Sequence, residues 1–144
     1  MGKNRDYATV FGSKLKWVLE KSNCQKVLID ISQRLMDLAR DSANLITKYM
    51  DRQESQLQAL DIDFDAEDIS TEDYMKAMKE RQKIEEECQN ALNIELAKVN
   101  AAEKFEQQKQ EKAQLRLENA NAQIETLDQY LATVNCGYFD QGAA

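Results

Sequence analysis

Between Cys24 and Tyr49, apolar side chains recur at intervals of three and four residues: Cys24, Leu28, Ile31, Leu35, Leu38, then Leu45 and Tyr49. Ser42 is the one soft layer in this run. The alternation puts all of them on one side of an α-helix, as a helix lying along another helix requires. A neighbouring line, Ile29, Met36, Ala43 and Met50, runs beside the first. Together the two lines make a stripe wider than a two-helix contact needs. The helix is therefore expected to meet more than one neighbour. After Met50 the pattern thins to Leu57 and Leu60.

Little interrupts helices in this chain. It has no proline and only four glycines in 144 residues. A fold with many turns needs such residues, so few, long elements are expected. Gly12-Ser13 offers one possible break, or a modest glycine cost inside a helix that runs through it. A second helix is expected from STEDY onward. Ser70 suits the N-cap, and Glu72 and Asp73 suit the positive first turn. Tyr74, Met78, Ile84 and Cys88 lead into Leu92, Leu96 and Val99. Regular spacing returns at Leu117, Ala120, Ile124, Leu127, Leu131 and Val134, with Ala91, Ile94, Ala101 and Phe105 widening the stripe. Gly137 suggests a left-handed stop just after Asn135.

The fold class expected is all-α: a long antiparallel helical hairpin, coiled-coil-like, assembled into a larger bundle or oligomer. Its parts are a helix over about 5–60, an acidic turn over about 61–70, a helix over about 71–135 and a short tail over 136–144, in a single elongated domain. Folding about residue 66 sets Leu45 opposite Cys88, Ile31 opposite Ala102, Leu28 opposite Phe105 and Leu15 near Leu117. It also sets the polar run Glu20 to Lys26 against Gln107 to Gln114, a weakly packed waist. The rival architecture, a parallel coiled-coil dimer of one continuous helix, is disfavoured by the like charges of Asp61–Asp65 and Asp68–Glu72.

The turn itself, DIDFDAEDISTE from Asp61 to Glu72, resembles a calcium EF-hand loop over those twelve residues. Asp61, Asp63, Asp65 and Glu72 fit ligand places, and Glu67 would offer its carbonyl. Three departures stand against it. Ala66 replaces the glycine of the sharp turn, Asp68 replaces an apolar residue, and Ile69 has no side-chain oxygen. The expectation is therefore an acidic solvated turn, with no metal and no cofactor, and calcium as the minor alternative.

Charge and residue types exclude other classes. The net charge of −7, from 26 acidic and 19 basic residues, argues against nucleic acid as partner. Histidine is absent and the three cysteines, Cys24, Cys88 and Cys136, form no CxxC, which disfavours zinc and histidine catalysis. No phosphate loop or nucleophile–base set appears, so no enzyme is expected and no catalytic residue is named. The N-terminus lacks a signal-peptide run and no window suits a bilayer. A cytoplasmic protein is expected, or one exported without a conventional signal peptide. SKLKWVLEK, with Leu15, Trp17 and Val18 continuing toward the helix seam, fits core or subunit contact better than a membrane anchor.

What remains is structural. The expected role is a self-assembling or scaffold subunit with protein partners, itself included. The alternative is a coiled-coil adaptor, chaperone or stalk. A calcium-responsive hairpin comes third. The architecture is similar to that of secretion-apparatus stalks and filaments and of phage structural proteins, a likeness of shape carried by no specific motif. Candidate interface residues are Ile29, Met36, Met50, Trp17, Phe105 and Ile94.

Overall fold

The protein is described from a computed structural model, over residues 2–60 and 69–143, with side chains over 7–60 and 69–134. Among the described residues the elements are two α-helices: α1, Gly2–Ala59, and α2, Thr71–Ala143. Among the described residues there is no strand. The chain is an all-α helical hairpin.

Helix boundaries follow local chemistry. The Asp73 backbone N–H donates to Ser70 Oγ at 3.1 Å, and the Tyr74 N–H donates to the Ser70 carbonyl at 2.9 Å. Ser70 is thus the N-cap of α2, with Glu72 and Asp73 in its first turn. Such a cap contributes about 1 kcal/mol. α1 runs straight through Gly12, where a Cβ would meet nothing within 4 Å. At the other end, α2 does not stop at Asn135 as the sequence suggested. It continues through Gly137 to Ala143. Glycine inside a helix costs only about 1 kcal/mol relative to alanine, so it permits a stop without enforcing one.

Two compact units divide the chain, and each contains a stretch of both helices. Unit 1 comprises Met1–Arg34 with Glu106–Ala144, and unit 2 comprises Leu35–Phe105. In unit 1 the buried core is Cys24, Ile31, Ala113, Ala120 and Leu131, with Ile31 wholly buried. Val10, Trp17, Leu28, Leu117, Ile124 and Leu127 are half-buried beside them. Cross-helix contacts fix the register: Lys14 with Asp128, Glu20 with Arg116, Arg34 with Glu106. In unit 2, Ala77, Cys88 and Leu92 are buried, flanked by half-buried Leu35, Leu38, Leu45, Tyr49, Ala91, Leu96 and Val99. There the Cys88 thiol donates to Gln56 Oε1 at 3.4 Å.

These pairs differ from a hairpin centred on residue 66. Cys88 meets Gln56 and not Leu45. Residue 34 reaches 106, where that centre would give 99. Phe105 and Leu15, expected between the helices, are 58% and 55% exposed. The physical reason is periodicity. Sliding one helix by a heptad presents the same apolar faces again, so the seam alone leaves the register open.

The polar stretch Glu20 to Lys26 is not hollow. Cys24 and Ala113 are both buried there, and Glu20 accepts from Arg116 Nε at 3.0 Å and also from Nη2.

Candidate interaction surface

α1 carries a second seam. Its first, facing α2, takes positions 10, 14, 17, 21, 24, 28, 31, 35, 38, 42, 45 and 49, which are buried or half-buried throughout. The second has the same 3-4 spacing: Ala8, Phe11, Leu15, Val18, Ser22, Gln25, Ile29, Ser32, Met36, Ala39, Ala43, Ile46, Met50, Gln53 and Leu57. Not one of these residues is charged. With 31% of the chain charged, roughly five charges would fall on an ordinary solvent-facing line of that length. On the helical wheel this line lies roughly 100° from the first, as follows from about 3.6 residues per turn.

Most of the second seam faces outward. In unit 1, Phe11, Leu15, Val18 and Ile29 are 43%, 55%, 42% and 68% exposed. In unit 2, Met36, Ile46 and Met50 are 61%, 41% and 64% exposed. Ser22, Gln53 and Leu57 are half-buried. Near the end of α1, Met50, Gln53 and Leu57 border an open groove of about 760 Å³, together with Thr47, Leu60 and Arg81. A solvated helix face ordinarily carries charge, so this uncharged and largely exposed line is the candidate contact surface.

The interface candidates fall into three groups. Ile29, Met36 and Met50 stand on this seam. Trp17 does not. It is half-buried on the seam toward α2, with the Lys16 ammonium 5.9 Å from its ring centroid. Ile94 and Phe105 are 61% and 58% exposed on α2, where Lys98 interrupts the line between them. Phe11 and Ile46 were missed in the sequence, and Leu15 and Val18 were read only as part of the SKLKWVLEK contact. The missing charge on their shared line, more than their own hydrophobicity, was the signal that could have found them.

The remaining candidates carry no comparable feature. Of the calcium-loop ligands, Asp61, Asp63 and Asp65 lie outside the described residues, and Glu72 belongs to the first turn of α2. Among the described residues no group of three or more carboxylates and thiols could hold a metal ion. No helix among them is long and apolar enough to cross a membrane. Cys24 and Cys88 are free thiols, both buried. Burial pushes the Cys24 thiol pKa up, and the neighbouring Glu20 carboxylate adds to this, while Arg116 opposes it. A nucleophilic cysteine needs the reverse, a depressed pKa and access.

Glu106 is the buried member of a cross-helix ion pair with Arg34. Arg34 Nε donates to Glu106 Oε2 at 3.0 Å, and Lys109 stands 3.6 Å from Oε1. The Glu106 side chain is 11% exposed. Both carboxylate oxygens are thus engaged by cations, which fits a structural pair that sets register.

No protein-family model, curated protein or solved structure matches the chain.

Proposed function

We propose that the chain is a non-enzymatic structural subunit that assembles with further copies of itself through the uncharged seam of α1. Coiled-coil-like packing of helices into a larger bundle would be the result, of the kind used in secretion-apparatus filaments or phage-type assemblies. One observation carries the reading. Seven large apolar side chains stand 41–68% exposed on a line that no charge interrupts over fifteen positions. Exposed apolar surface of that extent is buried against a partner in a soluble assembly.

Sedimentation equilibrium over a wide concentration range tests it. Mass rising with concentration supports assembly. A mass fixed at one chain would overturn self-assembly and leave the adaptor or stalk role, in which a different protein covers the same seam.

A further inference from the structure

Resting on that reading, we propose that Met36 and Met50 are modification sites through which hydroperoxides switch assembly off. Oxidised to sulfoxides, they keep the α1 seam from joining a second copy and leave the helices intact.

The placement of methionine carries the argument. The chain has five methionines. Met1 lies outside the residues whose side chains are described, and Met36, Met50, Met75 and Met78 all belong to unit 2. All four are exposed, and among the described residues no methionine is buried in either unit. Methionine is ordinarily among the residue types most often buried. Its confinement to the surface here separates the thioethers from the side chains that hold the helices together. The core does contain two thiols, Cys24 and Cys88, but both are buried. Burial raises the Cys24 pKa, so the reactive thiolate is scarce there. In unit 1 the exposed seam residues Phe11, Leu15, Val18 and Ile29 have no sulfur to oxidise. In unit 2 the two most exposed large side chains on the seam are Met36 and Met50.

The chemistry is an oxygen transfer. The thioether sulfur attacks one oxygen of a hydroperoxide. An S–O bond forms, the O–O bond breaks, and the sulfur is oxidised by two electrons. The hydroperoxide proton passes to the departing oxygen, which leaves as water or an alcohol. An apolar side chain thereby becomes polar and chiral. In the single chain the new oxygen stays in water. Under a second copy it would be buried along Ala39, Ala43 and Ile46, the seam residues between the two sites, none of which has a side-chain donor. Burying an acceptor without a partner opposes association. Assembly shields the same two sulfurs, so peroxide acts on chains that have come apart and prevents their return. Reductases that convert sulfoxide to thioether, with two thiols becoming a disulfide and the oxygen leaving as water, make the step reversible. Met75 and Met78 stand on α2, off the seam, beside a second open groove. They serve as an internal reference.

Hydrogen peroxide treatment of the full chain tests the proposal. Wild type, a Met36→Leu, Met50→Leu double variant and a Met75→Leu, Met78→Leu double variant are treated while dilute, quenched and then concentrated. Mass spectrometry reads oxidation at each methionine, sedimentation equilibrium reads association, and circular dichroism reads helix content. Leucine conserves volume and apolarity, so both variants should fold and associate before treatment. After treatment, wild type and the α2 variant should associate roughly tenfold or more weakly with unchanged helix signal, while the α1 variant associates as before. Wild type oxidised at both seam positions yet associating as tightly as untreated chain would overturn the proposal and leave assembly standing. So would an α1 variant weakened as much as the wild type, or protection by the α2 variant instead. An untreated wild type that stays a single chain at every concentration would overturn both.

Discussion

Ile29 and Ile31 stand two residues apart on α1 and face opposite fates: Ile31 is wholly buried and Ile29 is 68% exposed. One belongs to the seam toward α2, the other to the uncharged seam. Their substitutions should therefore separate. At concentrations where sedimentation finds a single chain, Ile31→Ala should lower unfolding free energy by about 2–4 kcal/mol. Ile29→Ala should change it by less than about 0.5 kcal/mol. Urea titration followed by circular dichroism reads both, and equal losses would contradict the two-faced helix.

The Arg34–Glu106 pair makes a second prediction. Arg34 is 48% exposed, so solvent screens part of its contribution, and Lys109 remains near the carboxylate when it is removed. Arg34→Ala should cost about 1 kcal/mol. Glu106→Leu removes the buried charge and fills the seam, and should leave stability unchanged or raised. A large loss on Glu106→Leu would mean that the ion pair contributes far more than its geometry implies.

Cys24 supplies a pH dependence. Burial, aided by Glu20, raises its thiol pKa in the folded chain, so the folded state holds the proton more firmly than the unfolded state. Stability is then unaffected by this group below the unfolded thiol pKa of about 8.5. It falls as pH rises from there toward the folded value. Cys24→Ala should flatten that alkaline loss. Alkylation mapped by mass spectrometry at neutral pH should leave Cys24 unmodified until denaturant is added. Rapid labelling of the native chain would contradict its burial.

The legible part of the fold was its periodicity. Leu28, Ile31, Leu35 and Leu38 named the seam, and Ser70 with Glu72 and Asp73 named the start of α2. Periodicity could not name the register. Contacts such as Arg34 with Glu106 and Cys88 with Gln56 depend on individual side chains that repeat nowhere along the heptads. Nor could it end α2, because Gly137 weakens a helix without breaking it. The candidate surface was half legible. Ile29, Met36 and Met50 announced themselves as a second apolar line. Their continuity with Phe11, Leu15 and Val18 was hidden, because Ser22 and Gln25 interrupt the line with polar residues that nonetheless carry no charge.

The most direct measurement compares the wild type with a chain carrying Ile29→Glu, Met36→Glu and Met50→Glu, by sedimentation velocity and circular dichroism at matched concentrations. Three carboxylates on the uncharged seam should abolish association while leaving most of the helix signal, since none of the three side chains is buried in the single chain. A variant that still associates, or one that loses its helices, would contradict an outward seam built to join copies.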